Sequence, residues 1–314
     1  MAGAERIAVI GAGLMGHGIA QIFAGKGWHV SLTDVDEAIL VKAREGIRAN
    51  LALLADNGIG RAEDVEPALG RIKTTLRLEE AVADASLVIE AVAERLDLKQ
   101  ELFRRLDAMC PSGTILATNT SVISITEIAA RAENRQRIVG THFWNPPYLV
   151  PLVEVVPGAG TSPEAVDSVY DILKKAGKHP VRVRRDVPGF VGNRLQHALW
   201  REAISIVDQG IADAATVDEV IKNGFGIRLP VLGPLETADM VGLDLTLQIH
   251  DYILRHLDRS VEPAPVLRDK VERGDLGFKT GRGFQEWSEQ SIERSRKQLL
   301  EHLIAWTRRA HESS

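Results

Sequence analysis

The sequence contains a single cysteine and no long apolar run, and each absence excludes a class of protein. Cys110 stands alone among 314 residues, so no internal disulfide can form and a disulfide-stapled secreted scaffold is excluded. No apolar run approaches the roughly 20 residues that a membrane-spanning helix requires. The opening residues lead almost directly into a strand-like run at residues 6–10, which leaves no room for a cleavable targeting segment. We therefore expect a cytoplasmic protein.

An excess of charge of one sign is also missing, so the charge balance indicates no macromolecular partner. The chain has 38 basic and 43 acidic residues, and its net charge of −5 gives no general attraction to nucleic acid or to an anionic membrane. The histidines outside the candidate site described below lack metal-ligand spacing, so we predict no metal site. With 45% hydrophobic and 26% charged residues, a chain of this length is expected to form two globular domains.

Strand-like and helix-like patterns alternate through the first 185 residues. Short β-branched runs separated by helical spacing predict a mostly parallel sheet with helices on both faces. The predicted strands are residues 6–10, 29–34, 71–75, 86–92, 114–119, 137–143, 152–156 and 180–184. From about residue 189 the strand pattern ends, and helices are predicted at 189–209, 215–224, 243–258 and 288–311. The pattern is that of an α/β fold followed by a smaller all-α domain.

The last predicted helix has one apolar face. Ile292, Leu299, Leu303 and Trp306 recur at helical spacing in this segment. Such a stripe predicts that the helix packs against the body of the protein or against a second subunit.

A glycine motif follows the first predicted strand. The stretch IAVIGAGLMGHGIA has Gly11, Gly13 and Gly16 in the G-x-G-x-x-G pattern, between a strand and a helix, which is typical of dinucleotide binding. Gly11 allows the tight turn, Gly13 a close approach to a pyrophosphate, and Gly16 close helix–strand packing. Leu14 and Met15 open the helix whose N–H groups would face the phosphates. The alternative, a methyltransferase-type glycine loop, leaves the polar residues described below unexplained.

An acidic residue at the end of the second predicted strand indicates which dinucleotide binds. Asp34 lies 23 residues after Gly11, where a carboxylate accepts hydrogen bonds from the adenosine ribose and repels a 2′-phosphate. The next three residues, Val35, Asp36 and Glu37, include no arginine to receive that phosphate. We therefore predict NAD rather than NADP, held by a Rossmann-type doubly wound domain at residues 1–186. Residues 187–314 are predicted to form a helical domain for substrate binding and dimerisation.

Four polar residues lie where predicted strands end or where the second domain begins. Ser121 follows the fifth strand, His142 and Glu154 flank a proline turn, and Asn193 lies in PGFVGNR. Ligands of doubly wound sheets bind at the carboxyl ends of the strands. Taken singly, each residue is also explained as a helix cap, a core histidine or a strand-edge charge. An imidazole beside a buried carboxylate is either a structural ion pair or an acid–base catalyst.

These residues together resemble the 3-hydroxyacyl-CoA dehydrogenase family. The resemblance rests on Ser121, HFWNPP with His142, PLVEVV with Glu154 and DVPGFVGNRL with Asn193, at intervals of 21, 12 and 39 residues. VIEAVAERLDLKQELF, DMVGLD and GFKTGRGF are also similar to stretches of that family. The resemblance therefore extends from the glycine motif to about residue 284, which is most of the chain.

The resemblance implies an NAD-dependent enzyme that oxidises the 3-hydroxyl of an L-3-hydroxyacyl substrate, as in fatty acid metabolism, and that forms a homodimer through its helical domain. It implies that His142 is the general base, that Glu154 orients and stabilises its imidazole, and that Ser121 and Asn193 contact the substrate or the histidine. It further implies cofactor contacts from residues along the chain, namely Glu94, Lys99, Ser121, Asn145 and Lys279. The chemistry requires a base that titrates near neutrality, which histidine ordinarily does.

Other stretches leave the substrate open. Enzymes of the family that act on CoA thioesters carry lysines before the glycine that is Gly58 here, whereas this chain has LALLADNG with Asp56. Lys42, Arg44 and Arg48 could replace those lysines. NPPYLVPLVE and GPLET resemble the lambda-crystallin, L-gulonate 3-dehydrogenase and carnitine dehydrogenase branches. A dehydrogenase of a free hydroxy acid or polar alcohol is therefore the alternative, and a non-enzymatic crystallin-type or NAD-sensing protein is a further one.

Overall fold

The protein, described here from a computed structural model that covers residues 6–312, contains one eight-stranded sheet. Its strands are β1 (Arg6–Ile10), β2 (His29–Thr33), β3 (Ile72–Thr75), β4 (Leu87–Glu90), β5 (Ile115–Thr118), β6 (Ile138–Phe143), β7 (Leu152–Pro157) and β8 (His179–Arg182). Every strand predicted from the sequence is present, with ends that differ by at most two residues. The predicted doubly wound, mostly parallel sheet is therefore confirmed.

The strands are arranged in the order β3-β2-β1-β4-β5-β6-β7-β8. All neighbours run parallel except β6 and β7, which are antiparallel partners. Because the order reverses between β1 and β4, the connections leave these two strands in opposite directions and open a crevice at their carboxyl ends. Dinucleotides bind in that crevice in sheets of this type.

Successive side chains of each strand point to opposite faces, which gives the sheet a buried core on each face. Ile7 and Val9 of β1 belong to one buried cluster, and Ala8 and Ile10 belong to another, because successive side chains of a strand point to opposite faces. The first cluster includes Phe23, which is fully buried. Burying one such side chain contributes about 1.5–3 kcal/mol to the free energy of unfolding. Burial on both faces is what makes these strands continuous apolar runs.

Seven helices connect these strands. They are α1 (Leu14–Gly25), α2 (Glu37–Asp56), α3 (Val65–Gly70), α4 (Leu78–Val82), α5 (Leu96–Met109), α6 (Ile125–Ile128) and α7 (Pro163–Lys175). Helix α7 shows why its boundaries were predictable. The Ser162 side chain accepts a hydrogen bond from the backbone N–H of Ala165, and Pro163 occupies the first helical position, where no N–H is needed.

The remaining described chain is helical. Its helices are α8 (Gly192–Asp208), α9 (Ala214–Asn223), α10 (Pro234–Val241), α11 (Leu243–Ile253), α12 (Pro265–Glu272) and α13 (Glu289–Glu312). No helix within residues 6–312 combines the length and the apolar character needed to cross a membrane.

Contacts within the chain define two compact units. Of the described residues, 6–194 and 299–312 form the first unit, and 195–298 form the second. In the first unit Ile304 of α13 shares a small buried cluster with Leu54 and Leu149, and Leu303 packs against it, so this helix contacts the body of the protein. Of the predicted apolar stripe only Leu303 lies in that cluster, whereas Leu299 and Trp306 are 59% and 38% exposed. By packing, residues 187–194 and 299–312 thus belong with the sheet. The functional division at residues 186/187 stays a prediction.

Candidate active site

The antiparallel pairing of β6 with β7 brings the candidate base and its carboxylate together. His142 and Glu154 are direct partners in the register of the two strands, on either side of the proline-containing turn. The His142 Nδ1 lies 2.8 Å from Glu154 Oε2, and the two residues are 4% and 1% exposed. Directly opposed residues on antiparallel strands have side chains on the same face, so the strand register itself creates this pair.

The second oxygen of Glu154 binds the start of α8. Its Oε1 accepts hydrogen bonds from the backbone N–H groups of Val191 at 2.9 Å and Gly192 at 3.0 Å. Burial alone would raise the pKa of the Glu154 carboxyl, but the hydrogen bonds from His142, Gly192 and Val191 outweigh it and hold that pKa below its ordinary value of 4.5. An ionised Glu154 makes His142 Nδ1 the donor, which leaves Nε2 to accept a proton.

Ser121 and Asn193 are joined directly. The Asn193 side chain is 8% exposed, and its Nδ2 donates a 2.7 Å hydrogen bond to the backbone oxygen of Ser121. Asn193 also follows Gly192, whose N–H binds Glu154. The four residues predicted as catalytic are therefore linked through one set of contacts in the first unit.

The glycine loop has the geometry that a dinucleotide requires. Gly11 has a φ of +93°, and a Cβ on it would lie 2.6 Å from the backbone oxygen of Ala91. A Cβ on Gly16 would lie 1.7 Å from the backbone oxygen of Gly11, whereas a Cβ on Gly13 would meet no atom within 4 Å. Helix α1 begins at Leu14 without a side-chain cap, so its first N–H groups can bind phosphate. The loop fits a dinucleotide pyrophosphate.

Asp34 lies beside this loop, directly after β2. Its Oδ2 accepts a 2.7 Å hydrogen bond from the backbone N–H of Ala12, and its Oδ1 accepts one from Val35 at the same distance. The half-exposed carboxylate is thus fixed at the carboxyl end of β2. This is the place where a ribose-binding carboxylate is expected.

Lys99 and Glu94 were both predicted to contact the cofactor. Within the protein, each of the two side chains binds a different set of residues. Lys99 is 1% exposed, and its Nζ lies 2.6 Å from Glu90 Oε1 and 3.3 Å from Glu94 Oε2. Glu94 is exposed, and it accepts hydrogen bonds from the Thr120 hydroxyl at 2.5 Å and from the Ser121 N–H at 2.9 Å. The ammonium is thus enclosed by carboxylates, and through Glu94 it supports the segment that carries Ser121.

Glu90 is a residue that sequence reasoning missed. It is fully buried at the end of β4, where Oε1 binds Lys99 and Oε2 accepts a 2.6 Å hydrogen bond from the Thr118 hydroxyl. An acid that ends an otherwise apolar strand was the signal available. Burial of such a group requires a partner of opposite charge.

The remaining predicted cofactor residues lie at exposed positions. Asn145 is exposed and follows β6 at the proline turn, and Lys279 is exposed in the second unit. Their cofactor contacts stay predictions. Among the described residues, no cluster of three or more histidine, cysteine, aspartate or glutamate side chains could hold a metal ion.

Two of the three basic residues considered for CoA phosphates are engaged within the protein. Arg44 Nη1 donates a 2.7 Å hydrogen bond to the backbone oxygen of Ile72. Arg48 forms a two-pronged ion pair with Glu66 at 2.9 and 3.1 Å. Asp56 is exposed at the end of α2.

A glycine loop that fits a dinucleotide and a buried histidine–carboxylate pair are the features expected of a nicotinamide-dependent dehydrogenase. Comparison with known sequences identifies the family. The model of the 3-hydroxyacyl-CoA dehydrogenase NAD-binding domain matches residues 6–187, and that of the family's C-terminal domain matches residues 189–287. The chain belongs to the 3-hydroxyacyl-CoA dehydrogenase family, and it is an NAD-dependent oxidoreductase acting on a CH–OH group.

Relatives within the family act on different compounds. A probable 3-hydroxybutyryl-CoA dehydrogenase of Bacillus subtilis is 42% identical over 288 residues, which cover 91% of this chain and 99% of the relative. The L-carnitine dehydrogenase of Streptomyces griseus is 42% identical over 238 residues, 76% of this chain and 70% of the relative. The solved structure of a 5-formyl-3-hydroxy-2-methylpyridine 4-carboxylic acid 5-dehydrogenase has a TM-score of 0.90 at 33% identity, covering 97% of both chains.

Proposed function

We propose that this enzyme oxidises the 3-hydroxyl of an L-3-hydroxyacyl substrate to the 3-keto product, with His142 as the general base. The observation that carries the proposal is the buried 2.8 Å hydrogen bond between His142 Nδ1 and Glu154 Oε2. A carboxylate bound to one ring nitrogen sets the tautomer, so the other nitrogen can take the hydroxyl proton. A well-placed base of this kind contributes about 10²–10⁴ in rate.

The reaction separates a proton from a hydride. Bound NAD supplies the hydride acceptor. His142 Nε2 takes the hydroxyl proton, and the positive charge that develops on the imidazole is stabilised by the Glu154 carboxylate. Because Glu154 is 1% exposed, solvent does not screen this attraction. In the reverse direction the imidazolium returns the proton to the forming alcohol.

Ser121 and Asn193 are proposed to hold the substrate oxygen. The exposed Ser121 hydroxyl can donate to that oxygen, while the Asn193 amide, which binds the Ser121 backbone oxygen at 2.7 Å, fixes the position of the serine. For the cofactor, we assign the pyrophosphate to the loop of Gly11, Gly13 and Gly16, with Leu14 and Met15 supplying helix N–H groups. The ribose is assigned to Asp34, and further contacts to Glu94, Lys99, Asn145 and Lys279.

A second candidate substrate class is a free hydroxy acid or polar alcohol. It is favoured by the engagement of Arg44 with Ile72 and of Arg48 with Glu66. The exposed carboxylate of Asp56 would repel CoA phosphates. The relative with a TM-score of 0.90 is by its name a pyridine carboxylate dehydrogenase, which supports the same alternative.

We also propose a cytoplasmic homodimer that joins through its second domain. Apolar side chains on α10 and α11 support this, because Leu235, Leu243 and Leu247 are 80%, 64% and 62% exposed. Exposed apolar patches of this kind mark interaction surfaces. Cys110, which is buried and free, is compatible with a reducing compartment.

A screen of NAD reduction tests the proposal. The purified protein is mixed with NAD and with L-3-hydroxybutyryl-CoA, L-gulonate, L-carnitine or other hydroxy acids, and NADH formation is followed by absorbance at several substrate concentrations. Saturable turnover of the thioester alone supports the 3-hydroxyacyl-CoA substrate, and saturable turnover of a free acid alone supports the second class. NADH binding without turnover of any alcohol would instead support a non-enzymatic, NAD-sensing protein.

A further inference from the structure

Two segments that carry candidate catalytic residues lie side by side although they are distant in sequence. The first, the serine loop (residues 119–126), follows β5 and contains Ser121. The second, the asparagine linker (residues 186–193), leads into α8 and contains Asn193. Both segments belong to the first compact unit. Their direct contacts are concentrated on one carboxylate, that of Asp186.

Asp186 binds four donors of the serine loop. Its Oδ2 accepts hydrogen bonds from the Ser124 hydroxyl at 2.6 Å, from the Thr126 N–H at 2.8 Å and from the Thr126 hydroxyl at 2.6 Å. Its Oδ1 accepts one from the Ile125 N–H at 3.1 Å. These bonds join positions about 60 residues apart in the chain. A carboxylate bound by several donors is held far more rigidly than a side chain with one bond.

Two further bonds extend this connection to the catalytic candidates. The Gly189 N–H donates to the backbone oxygen of Val122 at 3.3 Å, and Asn193 Nδ2 donates to the backbone oxygen of Ser121 at 2.7 Å. On the opposite side, Glu94 accepts hydrogen bonds from the Ser121 and Val122 N–H groups. Glu94 therefore holds the first half of the serine loop, while Asp186 holds the second half and joins it to the linker.

The charge of Asp186 suits this arrangement. Burial alone would raise the pKa of the Asp186 carboxyl, but the Ser124 and Thr126 hydroxyls and the Thr126 and Ile125 N–H groups outweigh it and hold that pKa below its ordinary value. The carboxylate thus stays ionised at neutral pH, when it can accept from all four donors. An uncharged side chain of the same size offers fewer acceptor sites.

We propose that Asp186 is a positioning residue for the reaction, because it fixes the serine loop against the asparagine linker and so sets the relative placement of Ser121 and Asn193. The inference rests on the proposed function of those two residues. If Asp186 has this role, loss of its carboxylate lowers kcat although no group that touches substrate or cofactor has been removed. A misplacement of about 1 Å in such a site lowers rates by up to about 10²-fold.

Asp186→Asn tests this proposal with L-3-hydroxybutyryl-CoA and NAD. We expect kcat to fall by about 10- to 100-fold while the Kd for NADH stays within about twofold, measured below the melting temperature. Asp213→Asn is the matched control, since Asp213 caps α9 through the Thr216 N–H and touches neither segment. The control variant is expected to keep wild-type kcat. Equal kcat in wild type and Asp186→Asn would overturn the proposal.

A double variant separates positioning from a general loss of structure. If Asp186 acts through Ser121, adding Asp186→Asn to Ser121→Ala lowers kcat by less than about twofold, whereas independent effects multiply. A full additional loss in the double variant would overturn the proposed role.

Amide hydrogen exchange gives a readout that does not depend on the substrate. In Asp186→Asn, peptides from both the serine loop and the asparagine linker are expected to exchange faster, while peptides from β1 and α1 keep wild-type rates. Unchanged exchange in either segment would overturn the inference. An absence of turnover in the wild-type protein would instead count against the proposed function, and the exchange result would still decide the role of Asp186.

Discussion

Replacing Glu154 by glutamine is the perturbation that most sharply separates a catalytic pair from a structural one. Glutamine keeps the size of the side chain and one acceptor oxygen. That oxygen can still accept from the Val191 and Gly192 N–H groups, which places the new NH₂ group against His142 Nδ1. Two donors cannot face each other, so Nδ1 must become the acceptor and Nε2 must carry the proton. The base would then be in the wrong tautomer.

The expected loss of rate follows from this geometry. A hydrogen bond to a charged group contributes about 1.5–3 kcal/mol, which corresponds to about 10- to 150-fold in kcat when it acts on the transition state. The forced tautomer adds to this, and the same acid-to-amide change in the serine-protease triad lowers kcat by about 10⁴. Because Glu154 is 1% exposed, no discount for solvent screening applies. We expect kcat of Glu154→Gln to fall at least tenfold.

The assay compares kcat, the Kd for NADH and the melting temperature in wild type and variant, with the hydroxy substrate that the NAD-reduction screen identifies. Asp107→Asn is the matched control. Asp107 is also buried and pairs with Arg137 at 2.8 Å, but it lies away from His142, so its replacement is expected to lower the melting temperature and to preserve kcat. A Glu154→Gln protein that loses only stability, as the control does, would refute the reasoning.

Three further predictions concern the cofactor site and the half-buried Lys178. Gly13→Ala is expected to keep the wild-type melting temperature but to weaken NADH binding by at least about tenfold. Gly16→Ala is expected to lower the melting temperature itself, because its Cβ would lie 1.7 Å from a backbone oxygen. Fluorescence titration and thermal unfolding check both variants, and equal behaviour of the two would contradict the loop assignment. Asp34→Arg is expected to raise KM for NAD and lower KM for NADP in steady-state assays, and an unchanged ratio would show that this carboxylate is not at the ribose. Burial lowers the pKa of Lys178 from 10.5 to about 8, so the folded protein loses this proton at a lower pH than the unfolded chain does. The free energy of unfolding of wild type relative to Lys178→Met should therefore rise between pH 8 and 10.5, as measured by urea unfolding. A difference that does not change with pH would contradict this prediction.

Much of the fold could be predicted because its signals are local. The buried strands of this sheet are apolar and β-branched on both faces, so runs such as LVIE at residues 87–90 stand out from their surroundings. Helices α10 and α12 were not predicted. Each has eight residues, too few for the 3.6-residue period to be visible, although Pro234 and Pro265 mark their first turns. The packing of residues 299–312 within the first unit is a long-range property: helical periodicity indicates that the helix packs but does not identify its partner.

The candidate site was predictable to the extent that it follows from strand order and register. His142 and Glu154 flank one turn, so antiparallel pairing across it brings them together. Glu90 and Asp186 were missed because their roles depend on partners far away in sequence, Thr118 for one and Thr126 for the other. The local sequence shows Glu90 as an acid at the end of an apolar strand, but it does not identify the distant partner of either acid.

The central claim is that the His142 imidazole takes the alcohol proton as the hydride leaves. Its most direct test is kcat of His142→Ala with the hydroxy substrate that wild type oxidises, measured together with NADH affinity and melting temperature. The account predicts that kcat falls by about 10²–10⁴-fold while NADH binding and the fold persist. Turnover at the wild-type rate in a folded, NADH-binding His142→Ala protein would contradict it.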